Sequence, residues 1–345
     1  YYYLRFFVYI IIKMEEKIQK SIVDFGNEKG RPYTESTIKI YISNIRNLFL
    51  MCHGDGEKFD NLEWLSDFKM IEDCLHHLKP TTQRNYFNSV LVALHSQVPK
   101  NQMLMKYYEG KRDFLNFTAG RQMAKSGLTD SQKEVMEKVS KTNIDALILS
   151  IDPVKIKHNH TDLMMYLVLQ LHRLYPLRNE LADMKIIKRR QFTKMSEEEQ
   201  KKENWMMIDA TGKTGIFILN KYKTSRVHGT KTIQIDRTVM PIIRLWLRSR
   251  DIDITEIKGD YMPPFLSYSN GNKLTRNSLS HKLGEFTKEH LGAPISTTLL
   301  AKYYAHNIKD LNNVTEEDIK IVQKQADIRG HSLQQHLHSY TLKKD

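Results

Sequence analysis

The chain has 345 residues, enough for two domains of ordinary size, since single cores rarely grow much past about 250 residues. Its 53 Lys and Arg outnumber 40 Asp and Glu, for a formal charge of +13, a surplus that favours a polyanionic partner over a neutral one. The two cysteines, Cys52 and Cys74, exclude a disulfide scaffold and a zinc finger of close Cys pairs, and fit a reducing compartment.

The chain opens with YYYLRFFVYIII, an apolar run interrupted by Arg5, and its first methionine is Met14. The run is too short for a membrane span, which needs about 20 residues, and it lacks a signal-peptide cleavage site. Residues 1–13 therefore read as a non-native extension translated in frame upstream of Met14, with a buried extra strand as the alternative. From Thr34, the apolar residues Ile38, Tyr41, Ile42, Ile45, Leu48 and Phe49 recur at steps of three and four. That spacing predicts an amphipathic helix with Thr34 as N-cap. A second helix follows Pro80, with Tyr86, Val90, Ala93 and Leu94 on its apolar side. Lys39, Arg46 and Arg84 fall on the opposite faces, as DNA contacts or as ordinary solvated charges. Residues 14–110 thus form a helical module. Over 111–133 the periodicity fades into KRDFLNFTAGRQMAKSGLTDSQK, the composition of a linker.

The remainder, 134–345, reads as a second domain. Leu163 to Leu171 is a strongly apolar helix interior. Three runs rich in β-branched and aromatic residues follow, at 205–208, 215–219 and 231–235, which predict short strands. Helices are expected around 239–247, 279–291, 298–304 and 318–327, with a last one across 333–340. The expected class is α+β, mainly α with a small antiparallel sheet. His158, Asn159 and His160 read as a solvated loop, and no metal site is expected there.

Four segments of this second domain carry candidate chemistry. Arg178, in Leu177-Arg178-Asn179-Glu180-Leu181, offers a guanidinium that stays charged and can fork two N–H donors onto phosphate oxygens; the plain alternative is an ion pair with Glu180 or Asp183. Lys223, in Asn220-Lys221-Tyr222-Lys223-Thr224-Ser225, sits between strand-like runs, with Lys221 as rival or as a DNA contact. Gly330-His331-Ser332 is followed nine positions after the histidine by Tyr340. The fourth segment is Thr298-Leu299-Leu300-Ala301-Lys302-Tyr303-Tyr304.

Arg178, Lys223, Gly330-His331-Ser332 and Tyr340, taken jointly and in chain order, resemble the tyrosine recombinase (phage integrase) family. The similarity is firmest from about Leu163 onward and looser over residues 20–100. It implies a helical core-binding domain followed by a catalytic domain, and strand cleavage through a 3′-phosphotyrosine on Tyr340. It further implies that Arg178 and His331 bind the scissile phosphate and that Lys223 protonates the departing 5′ oxygen. The fourth segment departs from the family's His-x-x-Arg box: Thr298 stands at the histidine position and Ala301 at the arginine, with Lys302 an imperfect substitute because it points about 100° away on a helix. Cleavage is therefore expected to be impaired. An inactive DNA-binding accessory protein of the same fold is the alternative, and a nicking-closing topoisomerase a third reading. The resemblance implies double-stranded DNA as partner, a homo-tetramer on DNA, and no metal, nucleotide cofactor or membrane. The setting would be intracellular, in nucleus, cytoplasm or viral factory. The run KYKTSRVHGT is closest in texture to recombinases of large DNA viruses and their mobile elements.

Overall fold

The computed structural model describes residues 2–30, 32–54, 57, 59–97, 99–257, 261–305, 314–330 and 332–339. The chain divides into two compact units, Tyr1–Gln122 and Met123–Asp345.

The first unit is helical: α1 (Tyr2–Glu28), α2 (Glu35–His53), α3 (Phe68–Leu75), α4 (Pro80–His95) and most of α5 (Gln102–Ser126). Thr34 caps α2 as expected, its hydroxyl accepting the Thr37 N–H at 3.3 Å. Pro80 occupies the first turn of α4, where its missing N–H costs nothing. The α2 stripe Ile38, Ile42, Ile45 and Phe49 packs with Ile18 and Ile22 of α1 and with Ala93 of α4. Leu48 joins Ile71, Leu75, Val90, Leu91 and Leu94 in a second cluster, closed by Leu104, Met105 and Tyr108 from α5.

Two expectations change here. Residues 2–13 lie in helix and not in a strand, in one run with the helically spaced Ile18 and Ile22, which anchor α1. The stretch 111–133, read as a linker, does contain the division between the units, but it is helical through Ser126 and again in α6 (Asp130–Lys138). Its run Ala119, Arg121, Gln122, Met123, Ala124 and Lys125 favours helix even without an apolar stripe, and the capping box of Thr129 with Gln132 starts α6.

The second unit continues with α7 (Lys141–Ser150), α8 (His160–Leu174), β1 (Met184–Lys188), α9 (Arg189–Phe192), α10 (Glu197–Lys201), β2 (Asn204–Ile208), β3 (Gly215–Leu219), α11 (Ser225–His228), β4 (Lys231–Gln234), α12 (Met240–Arg248), α13 (Arg276–Leu291), α14 (Thr297–Tyr303), α15 (Glu316–Arg329) and α16 (Leu333–Ser339). The class is mainly helical with a small sheet, as expected, but the sheet is mixed: its order is β1-β2-β3-β4, with β1 parallel to β2 and the other pairs antiparallel. The parallel pair is possible because α9 and α10 carry the chain back between its strands. Both faces of the sheet are covered. Met206, Ile208 and Phe217 enter the main core with α8, while Ile187, Trp205, Met207 and Ile218 pack under Phe192 and Met195. In α8 every residue from Leu163 to Leu169 is buried, so it runs through the core. His160 opens this helix and packs edge-on against Trp246, its ring 4.8 Å away, with Asn159 as N-cap; the expected loop ends at His158.

Candidate active site

Arg178 follows α8 at the end of an irregular stretch, Tyr175–Leu177, and precedes the 3-10 turn Asn179–Asp183. Its side chain is partly exposed. The backbone N–H donates to Glu180 Oε2 at 2.8 Å, and Glu180 is buried, so the carboxylate holds the turn. Asp183, the other acid considered for Arg178, is engaged by Arg276 and, at 3.8 Å, by Lys273.

Lys223 stands in the turn between β3 and α11. The turn is built by Asn204, whose side-chain oxygen accepts the N–H groups of Asn220 and Lys221 at 2.8 and 2.7 Å and whose amide donates to the Lys221 carbonyl at 3.0 Å. Lys221 is thereby part of the turn's frame, and its ammonium lies 3.4 Å from Glu203. Lys223 is exposed and, among the described residues, makes no ion pair. That contrast favours Lys223 over Lys221 as the group able to reach a ligand.

The next residue ties this turn to the third segment. Thr224 Oγ1 donates to the Gly330 carbonyl at 2.8 Å. Gly330 ends α15 in the left-handed region (φ +72°), its N–H turned back to Ala326 and Asp327. A Cβ at this position would lie 2.5 Å from Thr224 Oγ1 and 3.1 Å from the Tyr222 ring, so both backbone and neighbours require glycine. From β4, Lys231 Nζ donates to the Asp327 carbonyl and lies 5.0 Å from the centre of the Tyr222 ring. Burial, aided by the charge of Arg178, holds its ammonium below the usual lysine range.

Arg329, one residue before Gly330, is buried and reaches the first segment. Its Nη1 donates to the carbonyls of Pro176 and Leu177 at 3.0 and 3.3 Å. The end of α15 therefore joins the stretch that leads into Arg178 to the turn that carries Lys223, across more than a hundred residues of sequence on each side. His331 and Tyr340 lie outside the described residues.

The fourth segment forms α14, capped by Ser296. Thr297 Oγ1 donates to Asn179 Oδ1 at 2.8 Å, which sets the helix beside Arg178's turn. Thr298 is half-buried, and Ala301 is buried with 1% of its surface exposed. Lys302 corrects one expectation. It is buried, and its ammonium donates to the Gly127 carbonyl and to Gln132 Oε1, the latter at 2.9 Å, so it braces the start of the unit instead of standing in for an arginine. Burial pushes its pKa down to about 8. Ala301 is itself packed in the interior of the unit, so an arginine side chain at this position would have to enter the core.

Two histidines near Arg329 escaped the sequence reading. His172, on α8, binds the Val168 carbonyl through Nδ1 at 2.8 Å; His336, on α16, is buried as well. Burial, reinforced by the Arg329 charge, pushes both pKa values down to about 4. Neither carries a sequence signal, because a histidine on a helix marks no partner before the fold is known.

In the first unit, Lys39 is exposed and pairs with Glu35 at 2.6 Å. Arg46 lies 3.5 Å from Glu15, and Arg84 donates to Asn85 Oδ1 at 3.3 Å. Such surface pairs are weak and leave these cations able to exchange partners. Among the described residues, no group of three or more His, Cys, Asp or Glu is placed to hold a metal ion, and no helix is long and apolar enough to cross a membrane.

No protein-family model and no curated protein matches the chain. Among solved structures, the crystal structure of XerA recombinase is similar at 11% identity and a TM-score of 0.38, over 95% of this chain and 94% of that one.

Proposed function

We propose that this chain is a DNA strand transferase of the tyrosine-recombinase type. Tyr340 Oη gives up its proton to solvent as it attacks the scissile phosphorus, the bond from phosphorus to the 5′ oxygen breaks, and Lys223 gives that oxygen a proton and takes one back from solvent. Arg178 and His331 neutralise charge on the non-bridging oxygens. The 3′-phosphotyrosine retains the bond's energy, so religation is the reverse step and needs no nucleotide. The partner is duplex DNA, with Lys39, Arg46, Arg84 and Lys221 as phosphate contacts, and the working form is a tetramer on two duplexes. Residues 14–110 act as the core-binding domain and 134–345 as the catalytic domain; the source is a virus or mobile element.

The observation that supports this reading is the convergence at the end of α15. Thr224 binds Gly330, and Arg329 binds Pro176 and Leu177, so three motif segments that are remote in sequence meet at one place. One observation favours the alternative, a DNA-binding accessory protein without cleavage: Ala301 is buried where the pattern has an arginine. A nicked duplex that loses its short fragment on cleavage, and so traps any covalent adduct, tests between them. The proposal expects a slow adduct that disappears in Tyr340→Phe while duplex binding persists. Binding without any adduct selects the accessory protein, and an adduct that survives Tyr340→Phe removes the assigned nucleophile.

A further inference from the structure

We infer that Arg329 is a positioning residue for Arg178: its guanidinium, bonded to the Pro176 and Leu177 carbonyls, fixes the main chain from which the Arg178 side chain is aimed. The inference rests on the reading of Arg178 as a phosphate-binding group.

The Tyr175 N–H closes α8 on the Leu171 carbonyl at 2.8 Å and the Leu177 N–H turns back to the Tyr175 carbonyl at 2.7 Å, but beyond these Tyr175–Arg178 belongs to no helix or strand. Its direction depends also on side chains that reach it, Glu180 at the Arg178 N–H and Arg329 at the carbonyls before it. Arg329 supplies two bonds to consecutive carbonyls, at 3.0 and 3.3 Å, which fix both the position and the rotation of the peptide entering Arg178. The other end of the brace is firm, because Gly330 closes α15 and is held in turn by Thr224. Burying a guanidinium is costly, and an apolar side chain of similar volume would pack there without that cost; what the arginine adds is a forked donor of fixed geometry. Among the buried groups around it, His172 is bonded to Val168, and Lys302 to Gly127 and Gln132. Arg329 thus joins two segments at once, its side chain holding the approach to Arg178 and its main chain leading into Gly330. A displacement of about 1 Å at a reacting centre costs on the order of a hundredfold in rate, so loosening this brace is felt in chemistry before it is felt in binding.

The test compares the full-length chain with Arg329→Met and Arg329→Lys. Amide hydrogen exchange over 177–181 is expected to quicken by about tenfold or more in Arg329→Met, with β2 and β3 unchanged, because a charge-assisted bond holds that local opening closed. Duplex affinity and its salt dependence stay the same. Adduct formation on the nicked duplex falls by roughly a hundredfold, Arg329→Lys recovers part of it, and Arg178→Ala with Arg329→Met is no slower than Arg178→Ala alone. Unchanged exchange over 177–181 overturns the inference, and so do rate losses that multiply in the double variant. Should Arg329→Met not fold, Arg329→Lys, which keeps the buried charge, carries the same comparison. A parent chain that forms no adduct defeats the strand-transfer reading, while the exchange comparison still decides whether Arg329 orders the Arg178 segment.

Discussion

Replacing Gly330 by alanine strikes the contact between the Lys223 turn and the third segment. At φ +72°, a residue with a Cβ pays about 1 kcal/mol or more for the left-handed conformation. The new Cβ would also lie 2.5 Å from Thr224 Oγ1, too close to tolerate, so the threonine must turn away and its 2.8 Å bond to the Gly330 carbonyl is lost. A hydrogen bond of this kind contributes about 1 kcal/mol. The sum is roughly 2–3 kcal/mol, a fall in melting temperature of about 5–10 °C for a unit of this size. Differential scanning calorimetry on the parent, Gly330→Ala, Thr224→Ala and the double variant measures it. With Thr224 already alanine, the clash and the bond to it are gone, and Gly330→Ala should cost the backbone term and the lesser crowding against the Tyr222 ring, 3.1 Å away, leaving about 1–2 kcal/mol of coupling between the two positions. Additive costs, or a Gly330→Ala chain as stable as the parent, would refute this account of the contact.

Acid should destabilise the second unit before its carboxylates titrate. His172 and His336 are held at about 4 in the folded chain, chiefly by burial, against about 6.5 when unfolded. The unfolded chain therefore binds more protons between those values, and stability falls as the pH drops from about 6.5 towards 4; a melting temperature that is flat from pH 6.5 to 5, or a His172→Gln chain with the parent's slope, would count against it. Ala301→Arg is expected to lower stability by roughly 3 kcal/mol or more by burying an unpaired charge, with no faster adduct formation; a stable variant that cleaves faster would show that α14 opens onto DNA. Lys302→Met should leave the rate of adduct formation unchanged, since that ammonium is bonded to Gly127 and Gln132; a large loss would restore it as a phosphate ligand. Lys223→Ala should slow cleavage on the natural linkage by about 10²–10⁴ and much less where sulfur replaces the departing 5′ oxygen, because a thiolate leaves without a proton. Equal losses on both substrates would deny Lys223 the acid role.

Periodicity and capping were enough to read α2, α4, the apolar interior of α8 and strands β2 to β4 from the sequence, because each is specified by residues within a few positions of one another. Thr34 before the stripe of α2 and Pro80 at the start of α4 are local signals, and they hold in the fold. The candidates Arg178, Lys223, His331 and Tyr340 were proposed from local motif and spacing, and the last two lie outside the described residues. Strand β1 was not legible, because Met184–Lys188 is short and pairs with β2 only through a crossover. The helical run through 111–126 was hidden because it lacks the apolar stripe that marks a buried helix. Above all, sequence marked Lys302 only as an imperfect substitute for a missing arginine and assigned Arg329 nothing, and only the tertiary structure gave each its partners. Lys302 turns to Gly127, while Arg329 turns to Pro176 and Leu177. The physical reason is that a charge pattern along the chain records which groups are present, but the partner of a buried cation lies more than 150 positions away and is fixed only when the helices have packed.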